Sequence, residues 1–158
     1  MDTLTPPIRN TARALIVQEN NILLLRKEGY PDGARFALPG GGQDLGETLE
    51  QALLRECREE IGTRVQVRGL VYVADCLKPR DTVPPSTRHL VEFLFDCSIP
   101  DDYTPCNGPH PDKHQVAVVW VGLETLAGVA LYPRSLARCL DGFPDRTGPL
   151  YLGNLDWE

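Results

Sequence analysis

The stretch 41–63, GGQDLGETLEQALLRECREEIGT, constrains the fold and chemistry of this chain more than any other. Thr48 and Gln51 form a T-x-x-Q capping-box pair, which predicts a helix beginning at Leu49. Leu49, Leu53, Leu54, Cys57 and Ile61 recur at helical spacing and make an apolar arc suited to packing on a sheet. Gly62 stands where such a helix stops. The acids do not fit an ordinary amphipathic helix. Glu56, Glu59 and Glu60 are related by i, i+3 and i+4, so three carboxylates share one face, within roughly a quarter of the circumference. Glu56 and Glu60 fall at the edge of the apolar arc, where an unpaired carboxylate is costly. Such crowding calls for a cation. A divalent ion that prefers hard oxygens, Mg²⁺ held by carboxylates and substrate phosphates, is the natural partner.

The same stretch resembles the Nudix box, G-x5-E-x7-R-E-U-x-E-E-x-G-U with U a bulky aliphatic residue. Gly41, Glu47, Arg55, Glu56, Glu59, Glu60 and Gly62 match at the required spacing. The departures are Cys57 and Thr63 at aliphatic positions, and neither removes an acid. The bland alternative, a solvated Arg/Glu helix end, does not account for a pattern of this length.

Length and composition agree with one globular domain over residues 1–158, with a lead-in over 1–10 and a C-terminal tail over 143–158. A formal charge of −6 argues against general nucleic-acid binding while leaving room for a local basic phosphate pocket. The odd number of cysteines, five, spaced far apart, makes no disulfide framework and suits a reduced, cytoplasmic setting. No apolar run reaches transmembrane length, and the start lacks the apolar core of a signal peptide. Oligomeric state is left open, a homodimer included.

In chain order, the pattern predicts strands over 11–18 and 22–26, joined by a turn at Asn20-Asn21, with both faces covered because the apolar runs are unbroken. A short strand over 35–38 feeds the triple glycine Gly40, Gly41 and Gly42, which suits close approach of a phosphate chain. Beyond the box helix, strands are expected over 65–76, 88–97 and 115–121, then a second helix over 134–140. Tyr151 and Trp157 are available to fold back. This is an α/β pattern. The Nudix resemblance implies the α/β/α sandwich, a mixed curved sheet between helices. The Pro-rich loops over 77–87 and 98–113 are then expected beside the box as substrate-selecting walls.

The resemblance also implies hydrolysis of a nucleoside diphosphate linked to another moiety, with Mg²⁺ as cofactor and Mn²⁺ as its substitute. The partner is a small nucleotide substrate, not nucleic acid or membrane. Glu56, Glu59 and Glu60 are the expected metal ligands, Glu47 is an additional or water-mediated one, and Arg55 holds a box glutamate in place. The general base is left among Glu56, Glu59, Asp112 and His114. Arg26, Arg35, Gly41, Gly42 and His114 are candidate substrate contacts; Tyr103, Trp120 and Phe36 are candidate stacking surfaces, each with a core role as its alternative. Cys106, His110 and His114 lack a fourth ligand and a recognised spacing for zinc.

Pro79 gives a slight lean towards ADP-ribose or nucleotide-sugar substrates, with canonical or oxidised nucleoside triphosphates as the enzymatic rival. A non-catalytic nucleotide sensor would have lost box acids, and none is lost. An RNA-end processing enzyme would want a basic strip, which the acidic balance disfavours.

Overall fold

The computed structural model describes residues 3–145 and 148–158. Eight strands form one mixed sheet. They are β1 (Thr3–Gln18), β2 (Asn21–Lys27), β3 (Arg35–Ala37), β4 (Gly40–Gly42), β5 (Gln66–Arg80), β6 (Ser86–Ser98), β7 (Gln115–Gly122) and β8 (Tyr151–Leu155). The main path runs β3-β2-β1-β6-β5-β8, with β4 paired to β1 and β7 to β2. The β1–β6 and β5–β8 pairs are parallel and the others antiparallel.

The helices lie on both faces. Helix α1 (Leu49–Ile61) packs on one side with Ala12, Ala14, Ile16, Leu23 and Leu25. The 3-10 helix Leu123–Gly128 and the short α2 (Leu136–Cys139) contribute to the other core, with Leu15, Ile22 and Leu24. Successive side chains of β1 and β2 therefore enter opposite cores. This is why Ile22, Leu23, Leu24 and Leu25 are all fully buried and why the sequence shows no polar alternation there.

Several boundaries differ from the sequence reading. Strand β1 begins at Thr3, inside the expected lead-in, because the run from Thr3 pairs in parallel with the start of β6 at Ser86. Met1 and Asp2 lie outside the described residues, as do Arg146 and Thr147 within the tail. Most of the Pro-rich segment 77–87 continues the β5–β6 hairpin, with Leu77↔His89 and Arg80↔Ser86 as partners, so only its tip is a loop. The second helix is trimmed to four residues. The tail folds back as β8 beside β5, and Arg134 and Ser135 donate backbone hydrogen bonds to Trp157 O and Asp156 O.

Candidate active site

Helix α1 starts as its sequence dictates. Thr48 Oγ1 accepts from Gln51 N at 3.1 Å, and Gln51 Oε1 accepts from Thr48 N at 2.9 Å, which closes the capping box. Gly62 takes a left-handed conformation, φ 73°, and ends the helix. The segment 98–113 then docks on the last turn. Gly108 N donates to Glu60 O at 2.9 Å, His110 N to Glu59 O at 2.9 Å, and Tyr103 Oη to Ile61 O at 2.7 Å. A Cβ on Gly108 would meet the carbonyls of Arg58 and Glu59, so only glycine allows this approach. Tyr103, Gly108 and His110 thus satisfy carbonyls that the helix itself leaves unpaired. The end of the segment, Asp112 and Lys113, lines instead a cleft on the other face of β1.

Arg55 is the hub of the acid cluster. Its guanidinium grips both oxygens of Glu47, at 2.7 Å from Nε and 3.0 Å from Nη2. It also donates to Glu56 Oε1 at 3.0 Å and to the carbonyl of Gly42 at 3.0 Å, and lies 3.5 Å from Glu59. Glu56 lies against Gly41, where a Cβ would sit 2.6 Å from its carboxyl carbon. Gly41 is therefore a cradle for that carboxylate. Glu60 is buried, and its Oε1 accepts from Gly40 N at 2.8 Å. The glycine strand β4 thus contacts Glu56, Glu60 and Arg55 together, held against β1 through Thr11↔Gly42 and Arg13↔Gly40.

Electrostatics sets Glu47, Glu56 and Glu60 apart from one another. Burial pushes the Glu60 carboxyl up to about 8 and also raises Glu56, partly offset by Arg55. Glu47 is pulled down to about 2, chiefly by its hydrogen bonds from Arg55. Among the described residues, no three His, Cys, Asp or Glu side chains already converge on a metal position. The donor chemistry nonetheless fits a hard divalent cation. It supplies carboxylate oxygens at a glycine-lined cradle, two of them on groups whose burial favours the proton until a cation takes its place.

On the other face of β1 lies a cleft of about 680 Å³. Arg13, Lys27, Glu92 and Asp112 stand at its floor. Arg13 is bonded to Glu92 at 3.1 Å and to Gly40 O at 2.8 Å, and Lys27 to Asp112 at 2.6 Å. Glu92 also accepts from Thr11. Burial would raise Asp112, but Lys27 and its hydrogen bonds hold it below the usual carboxylate range. The wall is aromatic. The Arg35 guanidinium is stacked between Tyr30 and Tyr132, 4.2 and 4.4 Å from their ring centres, and Tyr132 meets Trp157 at 5.2 Å. His114 lies 4.9 Å from Tyr30.

The structure thus brings Glu47, Arg55, Glu56, Glu59, Glu60, Gly41 and Gly42 together, and sets Arg35, Asp112 and His114 in the adjoining cleft. Arg26 is in neither place: it pairs with Glu28 on the exposed surface, 3.1 Å away. Of the stacking candidates, Phe36 lines the cleft, while Tyr103 and Trp120 pack on the helix-side core. Arg13, Lys27, Lys78, Tyr30, Tyr132 and Trp157 were not legible as cleft residues. A charge inside the apolar run at Arg13, and another at Glu92, were the only local signals.

Comparison with known proteins bears on this geometry. A protein named ADP-ribose pyrophosphatase from Methanocaldococcus jannaschii is 41% identical over 83 residues, covering 51% of this chain but only 45% of that protein. The chain thus spans about half the length of that relative. Nucleoside triphosphatase NudI from Enterobacter sp. (strain 638) is 31% identical over 118 residues, covering 70% of this chain and 80% of that protein. The crystal structure of a NUDIX hydrolase from Nitrosomonas europaea superposes with a TM-score of 0.67 at 22% identity, over 95% of this chain and 80% of that one, a likeness of fold. The family model for the NUDIX domain matches residues 7–139, which include the capped helix, its acids and the glycine strand. By that match, the chain belongs to the Nudix family.

Proposed function

We propose that this protein is a hydrolase that cleaves the pyrophosphate linkage of a nucleoside diphosphate joined to another moiety, with ADP-ribose or a nucleotide sugar as the leading substrate. The observation that carries this reading is the Arg55-centred cluster of Glu47, Glu56 and Glu59 on the glycine strand, next to an aromatic and basic cleft. A cleft of about 680 Å³ suits such a ligand. The name of the Methanocaldococcus relative and the place of Pro79 in the cleft lining support the ADP-ribose lean.

Glu56, Glu59 and Glu60 would hold Mg²⁺, with Mn²⁺ as substitute. Glu47 would act behind them, through Arg55 or a water. The ion supplies charge neutralisation at the phosphate oxygens. Arg55 fixes the orientation of Glu56 and Glu47 by charge-assisted bonds. Water attacks one phosphorus, forming a P–O bond as the bridging P–O bond breaks, and its proton passes to a box carboxylate, Glu56 or Glu59. Asp112 is the weaker base, because Lys27 and its hydrogen bonds lower its pKa. Tyr30, Tyr132 and Trp157 offer the base or sugar a stacking wall. The five free thiols suit the cytoplasm.

The test is product release with Mg²⁺ across ADP-ribose, other nucleoside diphosphate sugars, dinucleoside polyphosphates, and canonical and oxidised deoxynucleoside triphosphates. Turnover that Glu59→Gln abolishes while the variant stays folded supports the reading. If nothing turns over yet a nucleotide raises the melting temperature, the protein is a nucleotide sensor instead.

A further inference from the structure

The cleft face of the sheet continues beyond the cleft floor onto a run of cations. Strand register puts Arg9 beside Leu90, Leu90 opposite Cys76, Lys78 opposite Arg88, and Arg80 opposite Ser86. Side chains alternate along each strand, so Arg9, Lys78, Arg80 and Arg88 all project from the same face as Glu92 and the cleft floor. Lys78 and Arg88 are a directly opposed like-charge pair, an arrangement that destabilises a sheet.

Among the described residues no carboxylate forms an ion pair with them, and only Lys78 is partly offset by acids, Asp112 and Glu92 of the cleft. Arg13 and Lys27 at the floor are ion-paired, but among the described residues Arg9, Lys78, Arg80 and Arg88 have no salt bridge. The Lys78 ammonium instead sits over the Trp157 ring, 4.9 Å from its centre. Burial, then Arg80 and Arg9, lower the Arg88 pKa; burial, then Arg13 and Lys27, lower that of Lys78. Arg88 therefore feels the repulsion of Arg80 and Arg9, while Lys78 feels the floor cations, in a chain whose net charge is −6.

The row also touches both halves of the site. Arg9 lies against Gly42, where any Cβ would strike its guanidinium, and the Gly42 carbonyl is bound by Arg55. Lys78 and Arg80 line the cleft at the other end. A ligand with dense negative charge along this face would convert the repulsion into binding.

We propose that Arg9, Lys78, Arg80 and Arg88 form a second phosphate site on the cleft face of β1, β5 and β6, which takes a phosphoryl group of the substrate additional to the diphosphate that is cleaved. This rests on the hydrolase reading for the word substrate; the anion site itself does not. The additional phosphoryl group has two sources, the outer part of a polyphosphate chain or a phosphate ester on the sugar. Either would add a contact that plain ADP-ribose does not make.

The experiment has a binding arm and a turnover arm. Metal-free protein is titrated calorimetrically with inorganic tripolyphosphate and with pyrophosphate, as wild type, Arg88→Gln and the charge-retaining Arg88→Lys. Tripolyphosphate is expected to bind about tenfold more weakly to Arg88→Gln, the scale of one charge-assisted contact, and to recover in Arg88→Lys. In turnover, Arg88→Gln is expected to raise KM about tenfold for either a dinucleoside tetraphosphate or the 2′-phosphate ester of ADP-ribose, with kcat and ADP-ribose turnover unchanged. Whichever of the two responds names the source. Unchanged tripolyphosphate binding in Arg88→Gln, with native circular dichroism, overturns the site and leaves the hydrolase reading intact. About tenfold weaker tripolyphosphate binding in Arg88→Gln, beside a wild type that binds it but hydrolyses none of these compounds, keeps the site and overturns the hydrolase reading.

Discussion

At the scale of single residues, the acid cluster depends on what surrounds each carboxylate more than on how many there are. Gly41 is the sharpest case, because a methyl group there would overlap the Glu56 carboxyl at 2.6 Å. Gly41→Ala is therefore expected to lower kcat at least about tenfold, by displacing a positioned charge, with little change in melting temperature. Steady-state kinetics beside a thermal melt checks both halves. Glu60 sets a pH dependence. Its carboxyl titrates at about 8 when folded, against an ordinary value of 4.5, so the metal-free native state keeps a proton that the unfolded chain has released. Stability from this group is full below about 4.5 and falls as pH rises towards 8, by up to a few kcal/mol. Urea midpoints at pH 5 and pH 8.5 should show that decline, and Glu60→Gln should flatten it. Mg²⁺ should stabilise the protein more at the higher pH, since it competes with the proton.

At the scale of elements, α1 is held at both ends by different means. Its first turn is capped by its own sequence, Thr48 with Gln51. Its last turn is capped by a segment some fifty residues later in the chain, through Gly108, His110 and Tyr103. Gly108→Ala drives a Cβ into the Arg58 and Glu59 carbonyls, so the segment must lift away. The expected result is a loss of about 1–3 kcal/mol, the cost of leaving helix carbonyls unsatisfied, read from denaturant midpoints. Because Glu59 and Glu60 sit in that turn, activity should fall with it. The box helix could thus be drawn from sequence almost residue for residue, while the purpose of the segment 98–113 could not. Its glycine meets the helix only once the chain has folded.

At the scale of the whole molecule, two cores share one sheet, and the C-terminal strand closes the second of them. Leu155 is buried in the core with Leu15, Leu94 and Leu136, and its neighbours Asp156 and Trp157 hold the start of α2 through backbone bonds. Leu155→Ala is expected to cost about 2–5 kcal/mol by opening a cavity there. It should also disturb Trp157, which a shift in intrinsic fluorescence would report. The same closure sets Trp157 against Tyr132 and Lys78, so the cleft wall and the second core are built by one segment.

By itself the sequence determined whatever depends on local period and spacing: the capped box helix, the acids along it, the triple glycine ahead of it, and the doubly buried strands at Ile22–Leu25. These follow from φ/ψ preferences, capping chemistry and the alternation of side chains, all of which act over a few residues. Only the tertiary structure decided the rest. Arg26 and Arg35 look alike in sequence, yet one pairs with Glu28 on the surface and the other is stacked between two tyrosines, one of them some hundred residues away. Lys78 and Arg88 became neighbours through β5–β6 register, and Arg9 joined them through a parallel pairing that no local pattern encodes. The aromatic wall required β8 to return beside β5. Long-range pairing is selected by the burial of both cores together, so its consequences for charge and binding are absent from any window of the sequence.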